Sequence, residues 1–271
     1  MAESALAAPE REAMLAVAES AAREAGALLL ERFGRIDRSR VKTKSSARDL
    51  VTEADLASER LLVARLRERF PGHAIESEEE VSDARRPAGG ARWFLDPLDG
   101  TVNFVHGIPA FAVSMGLWSD AGPEVAVVHL PRLAETFTAV RGGGARLNGQ
   151  PIRVSETAAL GDAILATGFP YRRNELPNNN LANFGRFFLD VRDLRRMGSA
   201  AMDLAYVAAG RIDGFWELHL QPHDVAAGTL LVREAGGIVT DADGGEDWLR
   251  GGHIVAASPR LHEAIRSRIV H

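Results

Sequence analysis

The chain contains no cysteine and only two tyrosines, and aromatic residues fill just 6% of its 271 positions. Without cysteine there can be no disulfide, no thiolate nucleophile and no zinc–thiolate centre; a reducing compartment agrees with this. No apolar run approaches the roughly 18–20 residues that span a bilayer. The Ala-rich segment 1–30 is interrupted by Glu3, Glu10, Arg11, Glu12, Glu19, Arg23 and Glu24. It therefore lacks the basic start and unbroken apolar stretch of a signal peptide. A basic excess is missing too: 32 Lys and Arg against 37 Asp and Glu leave a net charge of −5. That balance weighs against a general nucleic-acid binder and suits a protein that directs carboxylates at cations. With 46% hydrophobic and 25% charged residues, the composition is that of a globular protein rather than a disordered or collagenous one. The length suits one large domain or two small ones. A soluble, cytoplasmic protein with no membrane association is the expectation.

Residues 9–33 predict one amphipathic helix, with Pro9 near its start and Gly34 just past its end. The basic, aperiodic stretch 35–48 predicts a loop or hairpin. A second helix is expected over 55–70, where Leu62, Leu66 and Phe70 share a face before Pro71-Gly72 stops it. Strands are expected at 93–95, 110–118, 124–130 and 136–140, ahead of a turn at 141–144. Beyond lie a strand at 163–167, helices at 180–189 and 199–209, a strand at 214–217 and a helix at 224–235. Strands at 238–241 and 253–257 and a last helix from Pro259 close the chain. Helices beside an antiparallel sheet, followed by strands and helices in alternation, predict an α+β fold. Two halves, 1–150 and 151–271, would meet near residues 148–155, although no linker composition marks the boundary.

The chemistry-bearing segment is Trp93-Phe94-Leu95-Asp96-Pro97-Leu98-Asp99-Gly100-Thr101. An apolar strand is expected to end there and deliver Asp96 and Asp99 on a turn stiffened by Pro97. Two anions held together repel unless a cation lies between them, and oxygen ligands without cysteine select a hard ion such as Mg²⁺. Gly100 lets backbone approach a ligand, and amides at a helix beginning near Thr101 would face an anion. A plain Asx-capped turn is equally compatible with this segment alone. Further acids are Glu78, Glu79 and Glu80, otherwise a solvated loop; Asp224, otherwise a helix N-cap; and Asp55 at a helix start. His73, His129, His219 and His253 have no metal-ligand spacing, and His106 suggests no catalytic role.

Four segments recur together in order: Asp49-Leu50-Val51-Thr52 with Asp55; Glu78-Glu79; Asp96-Pro97-Leu98-Asp99-Gly100-Thr101 with Asn103-Phe104; and Trp216-Glu217 with Pro222-His223-Asp224-Val225-Ala226-Ala227-Gly228 and Glu234-Ala235-Gly236-Gly237. This set resembles the inositol monophosphatase family of lithium-sensitive, Mg²⁺-dependent phosphatases over nearly the whole chain. Residues 195–206 look like its SuhB-type bacterial branch. The resemblance implies a layered αβαβα sandwich of the inositol monophosphatase and fructose-1,6-bisphosphatase type, and a homodimer. Most metal ligands would lie in the first half, with substrate contacts and the last metal aspartate in the second. It implies Glu78, Asp96, the Leu98 carbonyl, Asp99 and Asp224 as Mg²⁺ ligands, supported by Glu79. Gly100 and Thr101 would receive the substrate phosphate, near Asp99 and Asp224. Gly198, Ser199, Ala200 and Glu217 would contact the rest of the substrate, and Asp55, Thr101 and Glu78 would position the attacking water. Lys44 falls in a loop the family has near its metals.

The implied reaction is hydrolysis of a small sugar or polyol phosphate, with inositol 1-phosphate the default. Histidinol phosphate, fructose 1,6-bisphosphate and phosphoadenosine phosphate are the alternatives, and the loop Phe169-Pro170-Tyr171-Arg172-Arg173 beside Asn178-Asn179-Asn180 is where selection among them could occur. Three departures stand out: Ser77 replaces the family's glycine before Glu78, Val102 replaces a threonine, and His223 replaces a tryptophan. A second reading is an RNA- or transcription-machinery-associated protein, with Arg35, Arg38, Arg40, Lys42, Lys44 and Arg48 as its basic surface.

Overall fold

A computed structural model describes residues 6–37, 39, 41–84 and 90–271; Glu3, Arg38 and Arg40 fall outside them. Ala8–Arg32 forms α1, whose buried stripe of Ala18, Ala21, Ala22, Ala25, Gly26 and Leu29 is small enough to lie close on a sheet. The basic stretch holds a two-stranded ribbon, β1 (Lys42–Thr43) antiparallel to β2 (Leu50–Val51). Helix α2 (Glu53–Arg69) begins two residues before the expected start because Thr52 caps it, its hydroxyl accepting from the Ala54 amide.

Seven strands follow: β3 (Ala74–Ser77), β4 (Arg92–Asp99), then, after the short helix α3 (Thr101–His106), β5 (Ala112–Ser119), β6 (Gly122–Leu130), β7 (Glu135–Val140), β8 (Gly144–Leu147) and β9 (Gln150–Pro151). They form one sheet in that order, parallel between β3 and β4 and antiparallel elsewhere. The remaining chain gives β10 (Ile164–Thr167), α4 (Leu181–Phe188), β11 (Asp193–Arg195), α5 (Ala200–Ala208), β12 (Gly214–Leu218), α6 (Pro222–Glu234), β13 (Ile238–Thr240), β14 (His253–Ala257) and α7 (His262–Arg266). Its five strands order as β11-β10-β12-β14-β13, mixing parallel and antiparallel pairs.

Helices α1 and α2 cover one face of the large sheet, α5 and α6 fill the space between the sheets, and α4 and α7 cover the outer face of the second. The result is the expected α+β sandwich of αβαβα layers. Both faces of the central strands are covered, so β6 reads as the continuous apolar run Val125-Ala126-Val127-Val128 instead of alternating. Gly116 sets the closeness of the middle layer: a Cβ there would stand 2.9 Å from the Ala226 backbone, so α6 lies directly on β5.

Three expectations need correction. Strand β4 does not end at Leu95 to release a turn. It runs on to Asp99 across a bulge between Asp96 and Asp99, where Pro97 has no N–H to give the ladder. Asp224 is not the N-cap of α6 but its third residue, and its Oδ2 accepts from the Gln221 amide at 2.6 Å. Strands β3, β8, β9 and β11 were not anticipated; each has two to four residues, too few to show a period.

Candidate active site

The β4 bulge is pinned from both sides. Ser58 on α2 donates to the Pro97 carbonyl at 2.8 Å, and the Leu98 amide donates to Asp96 Oδ1 at 3.1 Å. The chain then turns at Gly100, whose φ of +92° favours glycine and where a Cβ would meet the Ala110 carbonyl at 2.9 Å. This turn starts α3 and aims Thr101 inward. Its hydroxyl lies 2.8 Å from Asp55 Oδ1 and 3.1 Å from the Leu98 carbonyl. Asp55 Oδ2 accepts from the Thr52 amide and hydroxyl, so the cap of α2 also orients the carboxylate beneath Thr101.

Glu78 follows β3, and its amide donates to the Leu95 carbonyl at 3.1 Å, which sets it beside β4. Glu59, buried on α2, accepts from the amides of Glu79 and Glu80 and fixes the loop where the family's glycine has become Ser77. The Lys44 ammonium bonds Glu78 at 2.8 Å and Glu79 at 2.7 Å.

From the second half, Ser199 Oγ and the Ala201 amide each donate to Asp99 Oδ2 at 2.7 Å. Glu217 enters near the end of β12 with its carboxylate tight against Gly168, where a Cβ would displace it. A cavity of about 500 Å³ results, lined by Lys44, Glu78, Asp96, Asp99, Gly100, Thr101, Gly198, Ser199, Ala200, Glu217, His223 and Asp224. Asp55 and Leu98 stand behind this wall and touch it through Thr101, while Glu79 touches Lys44.

Burial dominates the electrostatics. Asp96 is pushed well above the usual carboxylate range by burial, then by Glu78, Asp99 and Asp224. Asp99 rises to about 7 through burial and Asp224, against the pull of Ser199 and Ala201. Burial also raises Asp224, opposed by His223. Burial and Glu78 raise Glu79 to about 7. Glu78 goes the other way: burial opposes its ionisation, but His223 and Lys44 outweigh it, and it shares a side-chain hydrogen bond with Asp96. Burial carries Glu217 to about 8, with Arg196 opposing.

In this arrangement Lys44 and that shared proton relieve the acid cluster. Among the described residues, no three histidine, aspartate or glutamate side chains stand in a geometry that grips a metal ion. The donors still suit one. They are oxygen ligands only; Glu78 raises the pKa of Asp96, Asp99 and Asp224, and Asp224 raises Asp96 and Asp99 in turn, a repulsion that a hard divalent cation would remove.

Sequence reasoning missed several residues here. Glu59 acts on a loop twenty residues away. Asp203 lines the cavity with Oδ1 unpartnered, and burial, Glu217 and Asp99 push it well above the usual carboxylate range. His219, which has no metal-ligand spacing in sequence, is on the cavity wall, and Arg196 lines it too. Asp203 and Arg196 do fall within the motif-bearing stretch 195–206; that was the one available signal.

The profile of the inositol monophosphatase family matches residues 10–271. The chain belongs to the inositol monophosphatase family. Among similar relatives, the "Nus factor SuhB" of Escherichia coli (strain K12) is 45% identical over 252 residues, covering 93% of this chain and 94% of that one. Its counterpart of the same name in Pseudomonas aeruginosa is 46% identical, covering 94% and 95%. Among solved structures, the extragenic suppressor protein suhB from Bartonella henselae matches with a TM-score of 0.88 at 40% identity, covering 94% of this chain and 98% of that one. The inositol monophosphatase from Anabaena (Nostoc) sp. PCC 7120 matches with a TM-score of 0.87 at 39% identity, covering 96% of each. This inositol monophosphatase family member is thus of a phosphatase family that depends on metal ions. No helix among the described residues is long and apolar enough to cross a membrane.

Proposed function

We propose that the chain is a Mg²⁺-dependent phosphomonoesterase of small sugar or polyol phosphates, with inositol 1-phosphate as its substrate. The observation that carries this reading is the gathering of Glu78, Asp96, Asp99 and Asp224 around one cavity, Asp96 and Asp99 buried and Glu78 and Asp224 half-buried, in a like-charge repulsion that a cation would relieve. Those four carboxylates and the Leu98 carbonyl would hold the metal. When bound, Mg²⁺ would neutralise phosphoryl charge and acidify a water.

The protein's own residues do the rest. Thr101, oriented by Asp55, holds the attacking water's position together with Glu78. The Gly100 and Thr101 backbone receives the phosphate at the start of α3. Glu217, with a pKa of about 8, can both donate to and accept from substrate hydroxyls near neutral pH; Gly198, Ser199 and Ala200 line the same wall. Lys44 must leave Glu78 when a cation takes its place. The same reading carries lithium sensitivity, a cytoplasmic location and a homodimer, the last tested by light scattering.

The test is phosphate release from inositol 1-phosphate, histidinol phosphate, fructose 1,6-bisphosphate and phosphoadenosine phosphate, with and without Mg²⁺. Strong Mg²⁺-dependent turnover of inositol 1-phosphate supports the proposal. Preference for another of the four corrects the substrate, and no turnover of any rejects the activity.

A second reading is association with the transcription machinery, supported by the name Nus factor that the relatives carry. Its basic surface would be Arg35, Lys42, Lys44 and Arg48. An RNA mobility shift that weakens with salt and survives Asp96→Asn supports direct contact; no association at low salt rejects it.

A further inference from the structure

Strand β12 ends at Leu218, and the next residue, His219, takes a left-handed turn with φ of +64°. That backbone suits glycine and strains a residue with a Cβ. Such an outlier persists where its surroundings hold it, and here they do. The His219 amide donates to His253 Nδ1 at 3.3 Å, and the Leu220 amide donates to the Gly252 carbonyl at 2.8 Å. The turn places His219 on the wall of the acid cavity, close after Glu217 in the chain. Its Nε2 lies 2.8 Å from the Asn178 carbonyl. A carbonyl only accepts, so Nε2 carries the hydrogen and donates it.

Asn178 belongs to the segment 169–179, which is built of turns between β10 and α4. Phe169, Pro170, Tyr171, Arg172 and Leu176 of this segment line the same cavity as Glu217 and His219. Buried Asn180 pins the ends of the segment together: its Nδ2 donates to the Gly168 carbonyl at 2.7 Å, and its Oδ1 accepts from the Trp216 indole at 2.8 Å. Between those ends, and apart from α4, two hydrogen bonds reach the segment from elsewhere among the described residues. Arg48 holds the exposed Asn174 side chain at 2.9 Å, and His219 holds Asn178. Of the two donors, His219 is the one that lines the cavity.

We propose that His219 is a positioning residue: it latches the segment 169–179 to the end of β12 and so sets Tyr171 and Arg172 against the part of the substrate that lies beyond the phosphate. The claim about substrate rests on the phosphatase reading; the latch itself does not. On that reading the metal, the attacking water and the phosphate are held by other residues. Releasing the latch therefore loosens substrate binding and leaves the chemical step in place.

The decisive variant is His219→Gly, which removes the imidazole and keeps the left-handed turn. Its unfolding temperature should stay within about 4 °C of the unaltered protein's, because strain leaves with the side chain as the hydrogen bond is lost. Tryptic cleavage after Arg172 or Arg173, followed in chelator, should be about fivefold faster, since one lost hydrogen bond lets the segment open. With Mg²⁺, KM for inositol 1-phosphate should rise about fivefold while kcat stays within about twofold. His219→Gln carries an N–H donor at similar reach and should restore slow cleavage and low KM together. Cleavage no faster in the glycine variant overturns the latch, and a glycine variant that unfolds makes His219 a structural residue and overturns it too. Faster cleavage beside an unchanged KM, or beside a loss confined to kcat, overturns the role in substrate binding. No turnover by the unaltered protein counts against the phosphatase reading instead, and the cleavage rates then decide the latch alone.

Discussion

The Thr101 hydroxyl stands 2.8 Å from Asp55 Oδ1, joining the first residue of α3 to the capped end of α2 under the floor of the cavity. Both side chains are buried. Thr101→Val keeps the shape but strands a buried carboxylate oxygen, which costs about 1–3 kcal/mol. Thermal or denaturant unfolding should register that loss, together with a fall in kcat. Thr101→Ser, which restores the hydroxyl, should recover most of both. Equal activity in the valine variant would remove Thr101 from the water-positioning role.

Glu59 should matter as much as residues that face the cavity. It holds the amides of Glu79 and Glu80 and so the reach of Glu78. Glu59→Ala leaves two amides without their acceptor, and Mg²⁺ affinity measured by calorimetry should drop with the loop's loss of order. Glu59→Gln keeps one carbonyl oxygen and should fall between the two. Unchanged affinity in the alanine variant would mean that Glu78 is placed by its own bond to Leu95 alone.

The acid cluster predicts an unusual pH dependence for the metal-free protein. Asp99 at about 7 and Glu217 at about 8 lie above their unfolded values. Groups raised in this way contribute stability that is complete below the unfolded pKa and is lost as pH rises through the folded one. His129, lowered to about 4 by burial, acts oppositely: its contribution is lost as pH falls from about 6.5 to 4. Above pH 7 that contribution is complete, so the acids alone set the slope. In chelator the unfolding temperature should fall between pH 6.5 and 8.5, by a free energy on the order of a few kcal/mol. Saturating Mg²⁺ should flatten or reverse that slope. A flat profile in chelator would contradict the mutual repulsion.

His223 borders the cavity with Nε2 3.8 Å from Asp224 Oδ1, and it favours the ionised forms of both Asp224 and Glu78. His223→Trp removes that help, so the acid limb of the pH–rate profile should move to higher pH. A superimposable profile would make the histidine a spacer in a slot the family fills with tryptophan.

The part of the site that sequence disclosed is contiguous and chemically loud: Asp96-Pro97-Leu98-Asp99-Gly100-Thr101 carries two acids, a stiff bond and a glycine within six residues. Helix α1 was legible from Pro9 near its start and Gly34 past its end, not from the amphipathic pattern expected of it: Ala13, Ala16, Ala27 and Leu30 are exposed while Ala18, Ala21, Ala22, Ala25 and Leu29 are buried, so apolar residues occupy both of its sides. What escaped depends on distance in sequence. Nothing near Glu59 signals that it holds a loop twenty residues on, and nothing near Ser58 signals the Pro97 carbonyl that it holds, a pair only the folded chain brings together. The bulge in β4 escaped because a proline after an aspartate reads as the end of a strand; only the paired register with β5 carries it through to Asp99.

The central claim is that these carboxylates hold a divalent cation that drives phosphoester hydrolysis. The most direct measurement is phosphate release from inositol 1-phosphate across a Mg²⁺ titration, for the unaltered chain and for Asp99→Asn with its fold checked by circular dichroism. The account predicts turnover that requires Mg²⁺, stops on chelation and falls nearly to background in the folded variant. Turnover that persists in chelator, or full activity in Asp99→Asn, would contradict it.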